Sequence, residues 1–311
     1  MRRSRLVPAL APLVVVAATA ALLATGCAAH PPNPSFNVSN DDAREALREM
    51  RHDAKPLPRP LVVLGGLDDP GVATTVLTDD FRELSGNDPR VIGVSFFFCG
   101  SFDGCRKRVI DAVDKAFPSD DPVWTTEVDV VAVSMGGLVA RYAAAEPTPA
   151  KKPESNEEAA SQPSTIHAPR RLRIARLFTI SSPHRGASLA FLPTFNQLQI
   201  DMRAGSKFLR RLDACDELAL DASSTAAVSA TTTTRPIGGY ELIPYVRLDD
   251  MIVGERNAAP AGWTPWWVPA VPLQDSHLFA IADPRIVADI ARRLRGEPPL
   301  TTGPPAPLPA Q

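Results

Sequence analysis

The stretch Val131-Ala132-Val133-Ser134-Met135-Gly136-Gly137-Leu138-Val139 joins a buried-strand run, Val128–Val133, to a helical run, Met135–Ala145. A serine stands at the junction, with Ala132 two residues before it and Gly136 two after. A strand that becomes a helix at a single residue bends so tightly that the flanking side chains must be almost absent. The bend lifts the serine Oγ clear of the sheet and sets it before a helix N-terminus, whose unpaired N–H groups favour negative charge. The plainer interpretation is a serine that caps a helix and happens to precede glycines.

Outward from this junction the chain alternates short apolar runs with amphipathic ones. Leu61–Leu64, Val91–Phe98, Val128–Val133, Ile174–Ile180 and Gly239–Val246 read as strands. Helices are expected at Asp41–Arg51, Thr74–Leu84, Arg106–Phe117, Met135–Ala145 and Arg285–Arg295. All-apolar strands alternating with helices predict an α/β fold, a mostly parallel sheet covered on both faces. The chain has 311 residues and 32 prolines, about twice the usual share of roughly 5%. The prolines gather at 31–60, 146–169 and 298–309, which predicts a Pro-rich tether over 27–58, a surface insertion over 146–170 and a disordered tail over 297–311. One domain, residues 59–296, is left between them.

Arg2, Arg3 and Arg5 precede an apolar run from Leu6 to Thr25 that ends Leu23-Ala24-Thr25-Gly26-Cys27, the pattern of a signal peptide over 1–26. A cysteine directly after small residues resembles a bacterial lipobox, with Ala24 where leucine is usual. That resemblance implies acylation of Cys27, a lipid anchor in a membrane and a place in the cell envelope. An ordinary cleaved signal or an uncleaved apolar anchor would also export the chain. Loss of the leader removes three arginines and no acid, taking the net charge from −2 to about −5. No basic footprint for nucleic acid is present. Export permits disulfides, and Phe98-Cys99-Gly100-Ser101-Phe102-Asp103-Gly104-Cys105 reads as a loop stapled by Cys99 and Cys105, the alternative being two buried thiols. Metal-site spacing is absent, with no CxxC pair and no HExxH.

A serine nucleophile needs an imidazole base, and the base a carboxylate that holds its tautomer. Of five histidines, His30 and His52 lie in the expected tether and His167 in the insertion, which leaves His184 and His277. The junction around Ser134 resembles the A-x-S-x-G variant of the G-x-S-x-G elbow in secreted bacterial lipases, members of the α/β-hydrolase superfamily. Thr179-Ile180-Ser181-Ser182-Pro183-His184-Arg185-Gly186 resembles the T-x-x-[ST]-P-H-x-G segment of the same enzymes, which shapes the rim of the site and does not supply the base. Asp250-Met251-Ile252-Val253 resembles their acid-bearing segment, and His277 lies shortly before the last helix, as their base does. The resemblance thus implies an α/β-hydrolase fold and a triad of Ser134, Asp250 and His277, with Asp249 the rival acid and Asp275 a weaker one. It implies an oxyanion hole of the Met135 and Leu67 N–H groups. At the second, the usual His-Gly is replaced by Leu64-Gly65-Gly66-Leu67. The expected activity is hydrolysis of a small-molecule or lipid ester without a cofactor. A silent binding protein of the same fold, or a transacylase, amidase or thioesterase on the same triad, stands as the alternative. Phe96, Phe97 and Phe98, and Trp263, Trp266 and Trp267, are candidates for an acyl pocket or a lipid-facing rim, and residues 187–222 for a cap or lid.

Overall fold

The structure, a computed structural model, describes residues 31–146, 170–215, 219–221 and 239–310. The leader, Cys27, His30, His167 and most of the 146–170 insertion lie outside the described residues.

Among the described residues seven strands form one sheet: β1 (Leu61–Leu64), β2 (Val91–Val94), β3 (Val128–Val133), β4 (Ile174–Ile180), β5 (Ala219–Asp221), β6 (Tyr240–Arg247) and β7 (Trp266–Val268). Their order is β2-β1-β3-β4-β6-β5, and every pairing is parallel. β5 pairs with residues 240–242 and β7 with residues 245–247 of β6, so the two share its outer edge. Helix α1 (Asn40–His52) precedes the sheet; the crossovers that parallel strands need supply α2 (Val72–Leu84), α3 (Phe102–Ala116), α4 (Met135–Ala144), α5 (Gln197–Asp201) and α6 (Lys207–Asp213), and α7 (Ser276–Phe279) and α8 (Pro284–Leu294) follow the last strand.

Because strand side chains alternate, the sheet has two apolar faces. Val62, Leu64, Val130, Ala132, Leu177 and Leu242 meet Val109 and Val113 of α3 and Leu138 and Val139 of α4. Leu61, Val63, Val131, Val133, Phe178 and Ile243 meet Leu47 of α1, Leu77 and Phe81 of α2, and Ile286 and Ile290 of α8. The parallel sheet expected from the strand–helix alternation is therefore present, with helices on both faces, as the α/β-hydrolase fold implied by the resemblance requires.

Two of the Pro-rich segments are not loose. Within 27–58, Ser39 caps α1, and Ala43, Leu47 and Met50, at i, i+4 and i+7, bury against the sheet. Phe36 is buried beside Tyr245, and the Asn33 amide donates to the Trp267 carbonyl at 2.6 Å. The tail is likewise fastened. Leu300 and Thr301 N–H donate to Asp289 Oδ1 at 2.6 and 2.9 Å, Thr302 N–H to the Ser35 carbonyl at 2.9 Å, and Trp267 Nε1 to the Ala306 carbonyl at 2.9 Å. Proline removes donors from such a strand, but its carbonyls still accept, so an extended Pro-rich segment can be laced down by its neighbours.

The Cys99–Cys105 staple is also corrected. Both are free thiols, and burial first, then the neighbouring Cys99 thiol, pushes the Cys105 thiol well up. The presumed loop is the start of a helix: the Ser101 Oγ accepts from Gly104 N–H and caps α3, turning Cys105 into the core. Phe96 is core, whereas Phe98 sits at φ +64° and is 88% exposed. Trp266 and Trp267 form β7 and are buried, and Trp263 packs against the core, so none of the three forms a rim.

Asp289 is fully buried, and it also receives the Tyr245 hydroxyl at 2.6 Å and Arg293 Nε at 2.8 Å. Its removal strands a partly buried cation and several donors. Asp289→Ala is expected to lower the unfolding free energy by about 3 kcal/mol in urea titrations.

Candidate active site

β3 ends at Val133, and the next residue, Ser134, has φ +49° and ψ −124°. This conformation is costly for a residue with a side chain. It is held from both sides: Ser134 N–H donates to the Ile180 carbonyl at 2.9 Å, and the Ser134 carbonyl accepts from Gly137 N–H at 3.2 Å. The glycines are a steric requirement. A Cβ on Gly136 would lie 2.6 Å from the Gly65 carbonyl, and one on Gly137 would overlap the Ser182 side chain. Ala132 is fully buried and small enough to stand where glycine is usual.

The other two members come from the carboxyl ends of neighbouring strands. After β6 the chain turns through Asp249, at φ +62°, into Asp250. Asp250 Oδ1 accepts from Ile252 and Val253 N–H at 3.1 and 2.9 Å, which locks the carboxylate at 2% exposure. After β7, Asp275 caps the short helix α7 and sets His277 in its first turn. His277 Nδ1 lies 2.9 Å from Asp250 Oδ2 and 3.1 Å from Oδ1, and its Nε2 lies 3.1 Å from Ser134 Oγ. With Asp250 ionised, Nδ1–H donates to it and Nε2 is left to accept the serine proton. Burial pushes the Asp250 carboxyl up, but the His277 hydrogen bond and charge and the Val253 N–H outweigh it and leave the group below its ordinary value. Asp249 is exposed, and Asp275 is spent on the cap through Leu278 N–H at 2.8 Å.

His184 has a separate part. It is wholly buried, with Arg141 Nη1 3.2 Å from its Nδ1 and Thr179 Oγ1 3.0 Å from its Nε2. A guanidinium can only donate, so Nδ1 accepts and Nε2–H donates to threonine. Burial first, then the Arg141 charge, hold the ring well below its ordinary pKa. The ring therefore stays neutral and braces the turn after β4, where Pro183 borders the cleft.

That cleft, of about 580 Å³, opens beside Ser134 and His277. Its wall is mainly apolar, with Leu67, Val72, Ala187, Leu189, Met202, Ile252 and Ile281 among the lining residues. The segment expected to form a cap supplies one flank of it, from the 3-10 turn Ser188–Phe191 to α5. Leu67 borders the cleft, and Met135 is the first residue of α4, with its N–H outside the intrahelical ladder. Asp69, at the start of the same loop-to-helix turn, escaped the sequence reading, although Asp69-Pro70-Gly71 before a helical run is a helix-start signal. No group of metal-ligating side chains occurs among the described residues.

No family model matches the chain, and no curated protein does. Solved structures align with it in part. A phospholipase, PlaB from Legionella pneumophila, aligns at 10% identity and TM-score 0.41 over 64% of this chain and 45% of its own. The Bacillus licheniformis lipase BlEst2, in its mature form, aligns at 13% and 0.42 over 89% and 97%. The metagenomic carboxyl esterase MGS0156 aligns at 14% and 0.38 over 78% and 76%. This chain thus spans less than half the length of the phospholipase. The parallel strand order and the placing of serine, acid and histidine after β3, β6 and β7 are those of the α/β-hydrolase fold.

Because the folded pKa of His184 is depressed, its contribution to stability is complete above the unfolded value near 6.5 and is lost as pH falls below it. The slope can reach about 1.4 kcal/mol per pH unit. His184→Gln is expected to be less stable than the parent at pH 7, with the gap narrowing towards pH 5 in urea midpoints; a constant gap would refute a neutral His184.

Proposed function

We propose that this chain is an exported serine hydrolase that cleaves carboxylic esters through an acyl-enzyme. One observation carries the reading: a half-buried serine at a strained strand–helix turn, 3.1 Å from an imidazole whose other nitrogen is 2.9 Å from a buried carboxylate. Ser134 Oγ attacks the ester carbonyl while His277 Nε2 takes its proton, and Asp250 stabilises the imidazolium that forms. The Met135 and Leu67 N–H groups receive the negative charge that develops on the carbonyl oxygen. His277 then returns the proton to the departing alcohol, and a water deprotonated by the same ring releases the acid.

The apolar lining of the cleft suits an uncharged acyl chain, lipid or smaller, better than a charged one. The exported location and the Cys27 lipid anchor complete the reading, which places the enzyme at a membrane of the cell envelope.

With p-nitrophenyl esters of short and long chain, the purified protein is expected to turn over and Ser134→Ala to lose at least about 10³-fold in kcat. A fluorophosphonate probe should label the parent and not the variant. Equal turnover by both would remove the triad assignment. For the anchor, Cys27→Ser should move the protein from the membrane to the soluble fraction, and unchanged partitioning would exclude acylation.

A further inference from the structure

The loop from Gly65 to Gly71 brings Leu67 to the nucleophile, and a methyl on Gly66 would come within 3.3 Å of the Ser134 Cβ. The loop is strained, because Asp68 sits at φ +53° without being glycine. Such a conformation persists only where its surroundings over-determine it.

Asp69 does this. Its Oδ1 accepts from Gly71 and Ala73 N–H at 3.0 and 3.2 Å, and its Oδ2 from Thr74 N–H and the Thr74 hydroxyl at 3.1 and 2.7 Å. Its carbonyl accepts from Ser95 Oγ at 2.6 Å, which ties the turn to the end of β2. The carboxylate lies directly on the loop: a methyl on Gly65 would meet Asp69 Oδ2 at 2.7 Å. Its donors lie at the start of α2, the positive end of a 13-residue helix. A carboxylate this near a developing oxyanion would oppose it if bare, and here the helix end answers its charge.

We propose that Asp69 is the positioning residue of the oxyanion loop, fixing the Leu67 N–H where a histidine–glycine pair would otherwise shape the turn. This rests on the ester-hydrolase reading. Asp69 touches no reacting atom and acts through the loop, so its loss should fall on the charged transition state rather than on substrate binding.

The test uses the full chain with p-nitrophenyl butyrate and a trifluoromethyl ketone, whose adduct with Ser134 carries an oxyanion. Asp69→Ala is expected to lower kcat about 100-fold, the scale of one lost oxyanion donor, with KM within about threefold. Inhibition by the ketone should weaken by a similar factor. Asp69→Asn, which keeps one acceptor oxygen, should fall between parent and alanine. A folded Asp69→Ala with parental kcat, or with lowered kcat and unchanged ketone affinity, would overturn the proposal. If Asp69→Ala does not fold, Ser95→Ala leaves the Asp69 side chain in place and removes the bond to its carbonyl, together with one exposed bond from Phe97 N–H. It should then reduce kcat and ketone affinity in parallel, and parental values for both would overturn the proposal. Should the parent hydrolyse no ester yet react with a fluorophosphonate, the ester reading alone fails. Slower labelling of Asp69→Ala would then support the positioning role, and equal labelling would remove it. A parent that is not labelled at all overturns both.

Discussion

Everything in the site depends on one backbone turn. Ser134 is held at φ +49° by hydrogen bonds to its own amide and carbonyl, and this single dihedral decides that Oγ stands above the sheet rather than within it. The cost, about 1–3 kcal/mol, is borne by the packing on either side. Gly136 lets α4 approach the Gly65 carbonyl, and Gly137 lets it approach Ser182, so the helix lies close to β1 and β4 at once. With the helix so placed, its first turn begins directly after Ser134, which borders the cleft.

The parallel sheet then does the rest of the assembly. In-register strands bring their carboxyl ends to one edge of the molecule, so loops far apart in sequence become neighbours. Ser134 and His277 are separated by 143 positions and meet at 3.1 Å. The electrostatics are consistent with this placement. Asp250 is denied water but supplied with two backbone N–H groups and an imidazole, which keeps it ionised where an unpartnered buried carboxyl would be neutral. His184 is treated in the opposite way: its neighbour is a cation, and it remains neutral.

Much of this was legible in the sequence because the relevant signals are local or ordered along the chain. The apolar run of β3 leading straight into a glycine-rich helix start is one, and the order of Ser134, an acid and His277 is another. The choice between Asp249 and Asp250 was not local. It depends on a left-handed turn at Asp249 that sends only the second carboxylate inward. β7 has three residues, Trp266-Trp267-Val268, between prolines, too few for any period to show. Ser95 ends β2 early by bonding the Asp69 carbonyl, a contact 26 positions away. The fastened termini were obscured by their prolines. Composition there suggests a spacer, while the spacing of Ala43, Leu47 and Met50 already marks a packed helix.

The fastening of the N-terminal segment bears on how an acylated Cys27 would hold the folded body. Residue 33, not residue 59, is where the chain joins the folded body. Six peptide units separate it from Cys27, and fully extended they reach only about 20 Å. A domain so attached would sit on a short leash, its reach limited to molecules within or just above the leaflet that carried it.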